Sequence, residues 1–229
     1  LAELDGLNTP NAEGHKPLID NDPLKPNEAY FQHVDWVIRK AAEKGIFIGL
    51  LPTWGDKVDK RWGTGPVIFN KEDAFRYGQW IGNRYKDFPN IIWINGGDRD
   101  GGGDNKPIWE ALANGIKSAD KDHLMTFHPW GERSSSEWFH DSAWLDFNMS
   151  QTGHGHARRL IESRPFLSRI PDQSMIAPGY FPETDFIVAT RGDGYAFVYF
   201  PTGWSADIIL EKIGGTEINA FWFDPRTGE

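Results

Sequence analysis

No cysteine occurs in the 229 residues, which excludes disulfides, thiolate metal ligands and a cysteine nucleophile. Long apolar runs are missing as well: nothing approaches the run of about 18 residues that a membrane-spanning helix requires. Positive charge is scarce. With 24 Lys plus Arg against 33 Asp plus Glu, the formal net charge is −9. Such a surface repels phosphate backbones, so nucleic acid is not an expected partner. The chain opens at Leu1 without a basic n-region followed by an apolar h-region, and it reads as a processed chain or a fragment. Aromatic residues and turn formers are abundant: 11 Trp, 15 Phe and 6 Tyr beside 25 Gly and 15 Pro. Trp together with acid suits a sugar-binding cleft, and it suits an aromatic core equally well. Composition does not separate the two.

Up to about residue 165, short apolar runs alternate with amphipathic segments. Residues 27–44 are expected to form a helix, with Phe31, Val34, Val37, Ile38, Ala41 and Ala42 at helical spacing and Gly45 as the stop. The apolar run 46–51 reads as a strand buried on both faces. A second helix is expected over 71–86, with Asn70 as its cap, and a third over 107–118, with Pro107 in its first turn. Segments 90–95, 124–127 and 145–149 read as further strands, and one more is under way near Leu4. Strand–helix–strand alternation implies a parallel sheet. From residue 185 the pattern changes to strand-like runs at 185–190, 195–200, 206–210 and 218–223. Arg191-Gly-Asp-Gly194 and Gly214-Gly215 are turn signals between them. A small antiparallel β-sandwich is expected there, after a linker rich in Pro and Gly.

In parallel α/β folds, ligands bind beyond the carboxyl ends of the strands. Here those loops are polar and similar in kind: Trp54 and Asp56, then Asp98, Arg99 and Asp100, then His128 and Trp130, then Gln151 and His154. Carboxylates can serve as acid and nucleophile, Trp can stack on sugar faces, and amides and His can hold hydroxyls. That set is what glycoside chemistry requires.

The combination of Asn95-Gly-Gly-Asp98-Arg99, Leu51-Pro-Thr-Trp-Gly-Asp-Lys-Val58, Leu4-Asp-Gly-Leu-Asn-Thr-Pro10 and Ala157-Arg-Arg-Leu-Ile-Glu-Ser-Arg-Pro-Phe-Leu167 resembles the apiosidase-like glycoside hydrolases, glycoside hydrolase family 140. The resemblance covers almost the whole chain. It implies a (β/α)8 TIM-barrel-type catalytic domain over 1–168, followed by a β-sandwich of the collagen-binding type over 174–229. It also implies release of apiose-linked pectic side chains by a retaining mechanism, with Asp98 as general acid/base. The expected substrate is an oligosaccharide or polysaccharide, met in the periplasm, outside the cell or at its surface. No cofactor and no metal are expected. Trp54, Asp56, Arg99, His128, Trp130, Asn148, Gln151 and His154 are the candidates for binding it.

The chain departs from that family in two ways. About 165 residues precede the sandwich, whereas a complete barrel takes about 250, so about five βα units of at least ~30 residues are expected and the barrel should be partial or gapped. The family's nucleophile comes from an Asp-Gly-Glu-Pro strand end. No such motif occurs here, and His154-Gly155 runs directly into His156-Ala-Arg-Arg159. A second expectation is therefore a module that binds carbohydrate or matrix without turning it over.

Each candidate has a plainer reading. Asp98 can hold a Gly-rich turn, Arg99 can make a structural ion pair, and Asp56 and Gln151 can be solvated loop residues. Asp98, Asp100 and Asp104 suggest a calcium loop, but Gly102 and Trp109 occupy positions that need ligands. Trp36, Trp80, Trp93 and Trp109 lie inside predicted elements and are expected in the core. Arg191-Gly-Asp193 reads as a hairpin turn.

Overall fold

A computed structural model of the chain describes residues 6–61, 63–152, 155–178, 186–201, 204–224 and 227–229. It divides into two compact units. The first comprises Leu1–Trp130 and Ser134–Met149, and the second Gly131–Arg133 and Ser150–Glu229.

The first unit is α/β. Helix α1 spans Glu28–Ala42, its Asn27 cap accepting the Ala29 N–H. Gly45, at φ 69°, closes it, and the Ile46 N–H returns to the Ala41 carbonyl. Strand β1 (Ile48–Leu50) follows, then helix α2 (Lys71–Tyr85), capped by Asn70 through the Asp73 N–H at 2.9 Å. Strand β2 (Ile91–Gly96), helix α3 (Lys106–Ala119) and strand β3 (Met125–His128) complete the alternation. The three strands are parallel and lie in chain order β1-β2-β3. Helices α2 and α3 are therefore crossovers between adjacent parallel strands.

The core is aromatic. Trp93, Trp109, Phe127 and Phe139 are fully buried, and Phe127 stands 5.6 Å from Trp109 and 4.7 Å from Phe139. Trp93 satisfies its indole N–H on the Asp120 carboxylate at 2.8 Å. Helices α2 and α3 approach closely because glycines face the contact: a Cβ on Gly115 would lie 2.2 Å from the Phe75 carbonyl oxygen.

Three expectations for this unit need correction. The run 46–51 is not buried on both faces. It is the edge strand among the described residues, shortened to three residues, with Ile46 and Phe47 exposed. Trp36 is not core; its position on α1 is 55% exposed. Residues 145–149 do not form a strand. They run beside β3 with one backbone bond, Asp146 N–H to the Met125 carbonyl, and side chains make the others: the Asp146 carboxylate accepts the Met125 N–H, and the Thr126 hydroxyl donates to the Phe147 carbonyl. Two-residue strands β4 (Arg133–Ser134) and β5 (Ser150–Gln151) follow, the latter in the second unit. Three parallel strands are thus present among the described residues where five were expected, and the segment near Leu4 lies outside them.

The second unit contains helix α4 (His156–Glu162) and an antiparallel sheet of β6 (Ile170–Pro171), β7 (Val188–Gly192) and β8 (Tyr195–Tyr199). β7 and β8 form a hairpin in which Gly192 pairs with Tyr195 across Asp193-Gly194, the turn anticipated at Arg191-Gly-Asp193. Met175, Ile176, Ile187 and Ala189 form its small core. The expected strands 206–210 and 218–223 are not formed. Ile208 makes only a single bridge to Ile176, while Phe221 and Trp222 are each 85% exposed. Among the described residues this is one antiparallel sheet rather than a sandwich. No helix among them is long and apolar enough to cross a membrane.

Candidate active site

Because β1, β2 and β3 are parallel, their carboxyl ends emerge on one side, and the loops there carry most of the polar candidates. Asp98 follows β2 by two residues, and its backbone adopts φ 51°, a left-handed conformation that L-residues rarely take. The preceding Gly96 and Gly97 are also at positive φ. Gly97 leaves room for the Trp54 indole, since a Cβ there would come within 2.9 Å of that ring. The sequence Gly-Gly-Asp therefore reverses the chain tightly under an aromatic plate.

Asp98 sits beside His128, the last residue of β3. The Asp98 N–H donates to His128 Nδ1 at 3.3 Å, and Asp98 Oδ1 lies 3.8 Å from the same nitrogen. The Trp54 ring is centred 5.6 Å from the imidazole. Asp98 Oδ1 is buried and has no hydrogen-bond partner among the described residues, although the side chain as a whole is 29% exposed. Buried side-chain oxygens are as a rule paired, which sets this one apart.

Other candidates have different surroundings. Asp56 is fully buried, with the Lys57 ammonium at 2.7 Å and the Gly65 N–H at 2.9 Å. Arg99 is 1% exposed. Its guanidinium donates to the backbone carbonyls of Asp59, Asp98 and Lys60. Burial pushes the Arg99 pKa down, opposed by the nearby carboxylates Asp59 and Asp56. It stays cationic and ties the loop after β1 to the loop after β2. Asn148 is buried, accepting from the Ser135 hydroxyl and facing His140 Nδ1 at 3.2 Å. Trp130 lies under the Arg61 guanidinium, 5.2 Å from its centre. Gln151 belongs to the second unit, where its backbone carbonyl accepts the Glu132 N–H. His154 lies outside the described residues, as do Glu3 and Asp5. Among the described residues no group of acidic and His side chains could hold a metal ion.

Arg61 and Asn105 were missed in the sequence. Arg61 bonds Asp59 at 2.6 Å and Asp100 at 3.3 Å, and Asn105 donates to Asp59. Together with Asp104 they line a cavity of about 390 Å³ between the loops after β1 and β2. The charged run Lys57-Val-Asp-Lys-Arg61 was the available signal, because a charge cluster directly beyond a buried strand marks a loop at the ligand-binding end.

Known proteins match this chain in sequence and in fold. The model of the apiosidase-like catalytic domain matches residues 1–188. That of the "Putative collagen-binding domain of a collagenase" matches residues 170–229. Among solved structures, a glycoside hydrolase family 5 protein from Bacteroides vulgatus ATCC 8482 is 27% identical, with a TM-score of 0.60, covering 98% of this chain and 73% of that one. Another, described as a glycoside hydrolase, is 26% identical at a TM-score of 0.60 and covers 99% and 77%. No curated protein matches.

Proposed function

The chain belongs to the apiosidase-like glycoside hydrolases, and from that premise we propose that it cleaves apiose-linked side chains of pectic polysaccharides, with Asp98 as the general acid/base of a retaining reaction. One observation carries this reading: Asp98 presents a buried, unpartnered carboxyl oxygen at the end of a parallel strand, next to Trp54 and His128. In the first step the protonated Asp98 carboxyl gives its proton to the glycosidic oxygen as a second carboxylate bonds to the anomeric carbon and the glycosidic bond breaks. In the second, the Asp98 carboxylate takes a proton from the water that attacks the glycosyl intermediate. Trp54 and Trp130 offer aromatic faces to sugar rings, and the cavity along Arg61 and Asn105 gives room for a neighbouring sugar. Arg99, Asp56 and Asn148 contribute by holding these loops in shape. We assign 1–168 to the catalytic part and 174–229 to the appended β domain. Because the substrate is a polymer, the enzyme works in the periplasm, outside the cell or at its surface.

A retaining reaction needs a second carboxylate about 5–5.5 Å from the first. Asp56, Asp59 and Asp100 are all committed to Lys or Arg partners, and that observation favours a second reading in which the chain binds the glycan without turnover. Assaying the chain and its Asp98→Asn variant on apiose-containing pectic oligosaccharides, with calorimetric binding in parallel, separates the two. Turnover that Asp98→Asn lowers by about 10²–10⁴-fold is the expected result. Binding without turnover in the parent chain supports the second reading. Equal turnover in both proteins removes the acid assignment.

A further inference from the structure

A left-handed backbone at a non-glycine residue is strained and persists only where its surroundings hold it. At Asp98 the hold is identifiable: its N–H donates to His128 Nδ1 at 3.3 Å. A nitrogen that accepts carries no proton, so in the neutral ring the proton resides on Nε2. The Asp98 Oδ1 atom waits 3.8 Å from Nδ1 without a partner.

We propose that His128 is a positioning residue that acts through Asp98: its unprotonated Nδ1 anchors the Asp98 backbone, and protonation of the ring releases that anchor. Once Nδ1 carries a proton, two donors face each other and the bond to the Asp98 N–H is lost. The new Nδ1–H then turns to the nearest acceptor, Asp98 Oδ1. An imidazolium–carboxylate pair formed in this way carries the same number of protons as neutral His128 beside protonated Asp98, with the proton held on the ring instead of on the acid. The working form is neutral His128 beside protonated Asp98, and the anchored Asp98 N–H favours it over the ion pair. The charged groups around the ring can be named. Asp98 and Arg99 come from the loop after β2, with the Arg99 guanidinium engaged on the Asp98 carbonyl rather than its carboxylate. The buried Asp56–Lys57 pair lies on the segment that carries Trp54, and Arg61 covers Trp130 on the loop of His128 itself.

The catalytic part of this inference rests on Asp98 being the acid, and the anchor does not, so two readouts are needed. The first is ¹⁵N NMR of the 229-residue chain, with the His128 signals identified by their loss in His128→Asn. We expect neutral His128 to be protonated on Nε2 and the Asp98 amide to shift in step with the imidazole. In His128→Asn the side-chain carbonyl can accept from the same N–H and does not titrate, so that step should vanish. A neutral ring protonated on Nδ1, or an imidazole-linked Asp98 step that survives in His128→Asn, would overturn the anchor. The second readout is turnover against pH. His128→Ala should lose about 10²-fold in kcat, with KM moving less than about twofold. His128→Asn should recover most of that loss. A rise in KM with kcat unchanged in both variants would make His128 a sugar ligand and overturn the positioning role. Unchanged turnover in Asp98→Asn, with the NMR result intact, would instead sink the acid assignment alone.

Discussion

Aromatic residues serve different ends in the two units. In the first, Trp93, Trp109 and Trp144 are buried between helices and a parallel sheet, while Trp54 and Trp130 are left half-buried at the strand ends. In the second, Met175, Ile176, Ile187 and Ala189 make up the buried cluster, and Trp204, Phe221 and Trp222 are exposed. A chain with so many Trp residues can thus build a core and a rim at the strand ends from the same residue type. Position relative to a strand end, not abundance, separates the two uses. The first unit is held by side-chain packing, whereas the second relies more on the β6–β7–β8 ladder and on polar ties such as Asp172 to Arg191.

That contrast is breakable. The largest stability effect is expected from Phe127→Ala, which empties the space against Trp109 and Phe139. It should cost about 3–5 kcal/mol, read from denaturant unfolding followed by Trp fluorescence. A cost below about 1 kcal/mol would mean that packing in the first unit is looser than its burial implies. Gly115→Ala comes next. A methyl 2.2 Å from the Phe75 carbonyl oxygen forces α2 and α3 apart, for a loss of about 1–3 kcal/mol measured the same way. Stabilisation instead would show that the two helices can separate freely. The smallest effect concerns pH and the second unit. Hydrogen bonds from Arg191 and then Ser174 hold the Asp172 carboxyl at about 2, below its ordinary 3.8. Because the folded value is depressed, the contribution is present above pH 3.8 and fades as pH falls towards about 2. Amide exchange in the β6–β7 ladder should accelerate over that window in the parent chain and show no such step in Asp172→Asn.

The helices were legible in the sequence. α1, α2 and α3 begin and end within two residues of the expected positions because Asn caps, Pro in the first turn and Gly45 act locally. β2 and β3 were legible as apolar runs between turn signals. Residues 145–149 and 206–210 were not, since a short apolar run fixes burial but not the partner that completes a ladder. At 145–149 the Asp146 and Thr126 side chains take most of the bonds to β3, and at 206–210 only Ile208 finds a bridge. Asp98, Trp54 and His128 were found together because loops at one end of parallel strands converge. Asp56 and Arg99 have the same kind of sequence position, yet their side chains turn inward to Lys57 and to backbone carbonyls. A strand-end position says where a residue starts and not which way it points. The anchoring of Asp98 by His128 depends on a backbone dihedral, which one sequence does not reveal.

The most direct test of the account is how turnover depends on the leaving group. An acid catalyst matters in proportion to the leaving oxygen's need for a proton. Asp98→Asn should therefore lose about 10²-fold or more in kcat/KM on an apiose-linked oligosaccharide, and less than about tenfold on an aryl glycoside whose phenolate leaves unprotonated. An equal loss on both substrates would contradict the account, because Asp98 would then be supporting the site rather than donating the proton.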